Sequence, residues 1–136
     1  MKKLAEKRWF WPALTIVWMA VIFLHSLQPG DVSAAESGWV WSLLRKIVPG
    51  ISELLIRKAA HFCEFFLLGC LLWKTHGKSR RPWLPALAGG LLTAVADEGI
   101  QRFVPGRSGE LKDVLLDFAG VCLAVLINGW RAYGCE

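Results

Sequence analysis

From Trp9 to Leu27 the chain runs for 19 residues with only His25 able to carry a charge. As a helix that run is about 28 Å long, close to the ~30 Å hydrocarbon core of a bilayer. Lys2, Lys3, Lys7 and Arg8 precede it. A basic start before an apolar stretch also describes a secretory signal. Trp18 and Met19 in the middle of the run, with no small-x-small cleavage site after it, favour a retained membrane span. Three more apolar runs follow, and no ten-residue alternation of the kind a small barrel needs is present. The expected fold is all-α, an integral membrane four-helix bundle forming a single domain over residues 1–136, with spans at about 9–27, 54–73, 83–101 and 113–130.

Composition narrows the function classes. Hydrophobic residues make up 54% of the chain and charged residues 20%, with a mean hydropathy of +0.41. A soluble domain carries about 25% charge. Disorder, a collagen-like fibre and a large soluble enzyme are excluded. The net charge of +5 comes largely from two short basic runs beside apolar segments. No basic groove is apparent, so no nucleic-acid partner is expected. Cys63, Cys70 and Cys122 sit in apolar runs and Cys135 is penultimate, with no CxxC pair or metal-ligand spacing. They read as small hydrophobes of a helical core.

Orientation follows from the positive-inside rule. Basic residues crowd the N-terminal tail and the connection holding Lys74, Lys78, Arg80 and Arg81, which lie on one side if the chain crosses four times. Both termini are then cytoplasmic. Trp9, Trp11, Trp73, Trp83 and Trp130 fall at that inner interface, where aromatic belts sit. The first outer connection predicts a helix of its own. Ser33-Ala-Ala-Glu36 reads as a capping box, and apolar residues then recur at helical spacing from Val40 to Val48. Such a short amphipathic helix, over about 39–48, should lie on the outer surface between spans one and two, anchored by Trp39 and Trp41. Pro49-Gly50 ends it and Ser52 caps the second span.

The ionisable residues gather at one depth. Arg57, His61 and Glu64 lie at i, i+4 and i+7, so they share a face of span two. Asp97 or Glu98 with Gln101 on span three, and Asp113 with Asp117 on span four, reach the same outer level, and the 102–112 loop brings Arg107 over them. A charge facing lipid at the bilayer centre costs at least about 2.5–3.5 kcal/mol, so these groups should point inward or toward water. An ion-pair network would be inefficient glue, since interhelical polar contacts average only about 0.6 kcal/mol. A pocket open to the outside is the better reading. His61 and Glu64 have the spacing of an acid–base or metal-ligand pair, but without a second His no metal site is expected. Lys58 is off the main face and reads as snorkelling outward. One of Asp97 and Glu98 should face the site while the other pairs with Arg102 or another cation. His25 and Ser26 read as a solvated helix end, and His76 as solvated in a basic loop.

Two blocks carry a family resemblance. Arg57-Lys-Ala-Ala-His-Phe-Cys-Glu64, followed by Leu68-Gly69, resembles the RKxxHFxEYxxLG signature of VanZ-like proteins, with Phe65 where Tyr is usual. The stretch from Asp97-Glu-Gly-Ile-Gln through Pro105-Gly-Arg107, then Asp113-Val-Leu-Leu-Asp117 and Gly120, resembles that family's second block, with Asp117 where Asn is usual. The resemblance covers essentially the whole chain. It implies a four-span bacterial membrane protein connected with resistance to the glycopeptide teicoplanin. It carries no agreed mechanism, and the cofactor stays unknown. The motif residues map onto Arg57, Lys58, His61, Glu64, Asp97, Glu98, Gln101, Arg107, Asp113 and Asp117. These are the expected ligand-binding residues, for a membrane lipid or lipid-linked cell-wall precursor head group. The alternative is an intramembrane hydrolase or transferase. There His61, Glu64, Asp97, Glu98 and Asp113 are the candidate catalytic groups, and the carboxylates, Asp117 included, serve as acid, base or Mg²⁺ ligands. A small transporter using the carboxylates as a proton relay is a further alternative.

Overall fold

A computed structural model describes residues 9–134. Lys2, Lys3, Lys7 and Arg8, on which part of the expected topology rests, lie outside the described residues, as does Cys135. The described residues form five helices: α1 (Phe10–Ser26), α2 (Gly30–Leu44), α3 (Glu53–Thr75), α4 (Trp83–Gln101) and α5 (Leu111–Tyr133). There is no strand among the described residues. The four long elements follow the apolar runs to within three residues at each end. Ser52 caps α3 as expected, its hydroxyl accepting the Leu55 N–H at 3.1 Å.

The helix between α1 and α3 starts earlier than its pattern indicates. It begins at Gly30, after Pro29, and ends at Leu44, with Arg45 to Val48 in turns. Ser33 is therefore inside the helix and buried rather than capping it. Gly30 N–H donates instead to the Pro105 carbonyl at 3.0 Å, tying the start of α2 to the loop between α4 and α5. Trp39 is exposed, while Trp41 is half-buried and donates its indole N–H to the Ile51 carbonyl at 2.8 Å.

Helix α3 is the centre of the bundle and packs along α5, with α1 and α4 beside it. Small residues set the approach. A Cβ on Gly120 would stand 2.6 Å from the Phe62 carbonyl oxygen, so glycine is what lets the backbones of α3 and α5 meet. Ile22, Phe65, Leu68, Leu72, Ala94, Val121 and Val125 fill the interior. Trp73 joins this core and meets the Tyr133 ring edge-on. Cys63 also departs from expectation, since it is exposed, whereas Cys70 and Cys122 are half-buried.

The outward faces are apolar. Ile16, Leu24, Leu92, Leu126 and Trp130 are each at least 66% exposed. Even so, among the described residues no single helix is both long and apolar enough to cross a membrane. Only α1 and α2 taken together pass on length and composition, and they are bent by 105° at their break. Helix α1 alone has 17 residues. The ionisable residues that α3 and α4 turn inward dilute their apolar content.

Candidate functional site

The C-terminal ends of α1 and α4, the N-terminal halves of α3 and α5, the first turn of α2 and the 102–110 loop meet at one end of the bundle. A cavity of about 120 Å³ opens there. Arg57, Lys58, His61, Glu98, Gln101, Arg107, Asp113 and Asp117 line it, with Leu54 and Leu116 at its apolar side. A second, mostly apolar cavity of about 210 Å³ lies between α2 and α3, lined by His25, Glu36, Ser37 and Val40 among others. Arg57 and His61 border both cavities.

The cations of this end are held differently. Lys58 Nζ lies 3.2 Å from Asp113 Oδ1, across to α5, rather than snorkelling away. Arg57 turns toward α2, with Nη2 3.4 Å from Glu53 Oε1 and 3.5 Å from Ser37 Oγ. Arg107 donates to Ser33 Oγ at 2.8 Å and to the Ser26 carbonyl at 3.5 Å. Both acceptors are neutral, and among the described residues no carboxylate comes within 4.0 Å of the Arg107 guanidinium. Desolvation pushes its pKa below the ordinary value, an effect Asp97 opposes. A guanidinium nevertheless stays protonated. Gly106, at φ 75°, supplies the left-handed turn just before it.

The carboxylates divide into two groups. Glu64 faces α1, where its Oε1 is 2.8 Å from His25 Nδ1. Trp18 of α1 donates its indole N–H to the Glu64 backbone carbonyl at 3.0 Å, clamping the same turn. His25 also reaches Glu36 of α2, Nε2 to Oε2 3.6 Å, so it links two acids on different helices. Its ring lies nearly parallel to that of His61, with centroids 6.2 Å apart. His61 is therefore not the nearest imidazole to Glu64, from whose Oε2 its Nδ1 is 3.9 Å.

On the α4 and α5 side, Asp97 and Asp117 are both fully buried. Gln101 donates its amide to Asp97 Oδ2 at 2.9 Å. Asp97 Oδ1, both Asp117 oxygens and His61 Nδ1 are buried without a hydrogen-bond partner. One ligand atom from each of His61, Asp97 and Asp117 falls within 4.8 Å of the others, a spacing open to a metal ion. Glu98 accepts the Glu110 N–H at 3.0 Å. Both acids of the pair thus belong to the site, and among the described residues Glu98 forms no ion pair with Arg102.

The structure therefore brings Arg57, Lys58, His61, Glu98, Gln101, Arg107, Asp113 and Asp117 to one cavity, with Asp97 behind it and Glu64 on the α1 side. Sequence reasoning missed His25, Ser26, Ser33 and Ser37. His25 is no solvated helix end, because Glu64 and Glu36 engage it. The signal was present, since a lone imidazole in a 19-residue apolar run calls for an inward partner. Ser33 and Ser37, four apart on the inner face of α2, were hidden by the capping-box reading.

Comparison with known proteins covers the same ground. Over 73 residues, 54% of this chain, the sequence is 38% identical to the uncharacterized membrane protein YwnJ of Bacillus subtilis (strain 168). That stretch is 49% of the relative, so the match spans about half of its length. No solved structure matches. The family model described as VanZ/LLP1 matches residues 11–130, from the first turn of α1 to the last turn of α5. With every residue of the site inside that match, the chain belongs to the VanZ/LLP1 family.

Proposed function

We propose that this is a four-span protein of the bacterial cytoplasmic membrane, with both termini cytoplasmic. Its pocket faces the outer leaflet and holds the anionic head group of a membrane lipid or lipid-linked cell-wall precursor. Family membership and a relative named as a membrane protein support the location. So do the apolar outward faces and the 23-residue lengths of α3 and α5, about 34 Å each at 1.5 Å per residue. The site lies at the bundle end opposite Lys74, Lys78, Arg80 and Arg81, which the positive-inside rule assigns to the cytoplasm.

One observation carries the ligand class. Arg107 is a half-buried cation fixed by two neutral oxygens, with no counter-charge within 4.0 Å among the described residues. A guanidinium in that state matches a phosphate oxygen pair bidentately. Arg57 and Lys58 line the same cavity and add to its attraction for an anion. Binding a precursor head group there would alter its exposure to a glycopeptide, the link that the VanZ resemblance implies.

The test is expression in a teicoplanin-susceptible Gram-positive host. The wild-type chain should raise the inhibitory concentration, and Arg107→Gln should lose that effect while accumulating and melting like wild type. Undiminished protection by Arg107→Gln would overturn the head-group reading. The second reading, an intramembrane hydrolase or transferase, draws on the clustering of His61 with Asp97 and Asp117. Turnover of a radiolabelled lipid pyrophosphate by the purified chain would select it instead.

A further inference from the structure

The pair Asp97 and Asp117 poses an electrostatic problem that the head-group reading does not address. Both side chains are fully buried, on neighbouring helices; among the described residues no Lys or Arg stands within 4.0 Å of either, and His61 Nδ1 is 4.0 Å from Asp117 Oδ1. Three carboxylate oxygens and one ring nitrogen have no donor or acceptor. An unpaired buried charge costs several kcal/mol, so a stable fold compensates it. A single proton shared between two of these four atoms would still leave the other two without a partner.

From this geometry we propose that His61, Asp97 and Asp117 bind one divalent cation at the floor of the cavity. The three residues come from α3, α4 and α5, and their ligand atoms already fall within 4.8 Å of one another. Donors bonded to one ion at about 2.0–2.2 Å sit roughly 3–4 Å apart, so side-chain adjustments under about 1 Å close the site. Gln101 is a positioning residue: by holding Asp97 Oδ2 at 2.9 Å it orients the free Oδ1, as outer partners of metal ligands do. His61 and Asp117 line the cavity, so the ion would keep open positions facing an incoming oxygen ligand. One imidazole with two carboxylates suits Mn²⁺ or Zn²⁺ better than Mg²⁺ or Ca²⁺, which favour all-oxygen sets. The charge of Asp117 matters here, because the amide that the VanZ-like pattern usually carries would supply a neutral ligand.

This inference goes beyond the head-group reading and does not need it, since its test contains no lipid substrate and no activity. The full chain in detergent is stripped with chelator and titrated with MnCl₂, followed by electron paramagnetic resonance and thermal melting. One ion per chain should bind, raise the melting temperature and show hyperfine coupling to an imidazole nitrogen. Asp117→Asn should weaken Mn²⁺ binding by about 100-fold or more without lowering the melting temperature of the metal-free protein. Gln101→Ala should weaken it by about 10- to 100-fold. His61→Ala should abolish the nitrogen coupling, and serves with Gln101→Ala if Asp117→Asn does not fold. Repeating the titration with ZnCl₂ after alkylating the thiols excludes cysteine binding. If neither ion binds the wild type more tightly than about 1 mM, or if the folded variants bind equally well, the site is not a metal site.

Discussion

Replacing Gly120 by alanine should force the two longest helices apart. The added Cβ would lie 2.6 Å from the Phe62 carbonyl oxygen and 3.0 Å from the Phe66 amide nitrogen. Both are backbone atoms of α3, so no side chain can rotate out of the way. Ordinary contact begins at 3.4 Å, and the helices must separate locally by about 0.8 Å to restore it. Overpacking of this kind costs about 1–3 kcal/mol. At roughly 3–6 °C per kcal/mol for a chain of this size, the melting temperature should fall by about 3–18 °C. The control is Gly99→Ala, also within a helix but with nothing within 4 Å of its Cβ. It should be neutral or gain up to about 1 kcal/mol from the better helix former. Both variants would be melted in one detergent, followed by circular dichroism and intrinsic fluorescence. Asp117 is one turn from Gly120, so the alanine variant should also weaken ligand binding at the site. Equal melting of the two variants would refute the close α3–α5 packing.

Removing the charge of Glu64 by Glu64→Gln should cost about 1–3 kcal/mol, because the 2.8 Å contact with His25 loses its ionic character; thermal melting in detergent reads the loss, and an unchanged midpoint would contradict it. Arg107→Lys keeps the charge but cannot reach Ser26 and Ser33 together. It should retain stability within about 1 kcal/mol yet lose most of the teicoplanin protection, as measured by inhibitory concentration beside the melting curve. Cys63, exposed on α3, should react with an apolar maleimide before Cys70 and Cys122, a ranking that mass spectrometry of partial digests would establish. In intact cells an impermeant maleimide should label Ile47→Cys, at a position 78% exposed, and should miss Lys78→Cys. The reverse pattern would invert the proposed topology.

What the sequence disclosed was governed by local physics. Long apolar runs bounded by charges delimited α1, α3, α4 and α5, and the Ser52 cap acts within its own helix, so these features were readable. Helical spacing likewise brought Arg57 and His61 to one cavity. The misreadings at the site involve partners far along the chain. Ser33 has a capping-box pattern locally, yet its hydroxyl is taken by Arg107, 74 residues away. His25 looks like a fraying end until Glu64, 39 residues on, is brought against it. Lys58 appears off-face on α3 alone and finds Asp113 only when α5 is packed alongside. The pairing of Asp97 with Asp117 has no sequence signature, because it depends on the rotational setting of α4 against α5.

The junction between α2 and the 102–110 loop joins two segments that are far apart in the chain. Gly30 and Gly106 meet backbone to backbone, Gly30 N–H is bonded to the Pro105 carbonyl, and Arg107 is fastened to Ser33. The first turn of α2 and this loop are thereby held as one unit. Any displacement of the first turn of α2 would therefore shift the Arg107 guanidinium that lines the cavity. A side chain at Gly30 would strike the Gly106 carbonyl, so a substitution there would part the two segments and pull Arg107 away from Ser33.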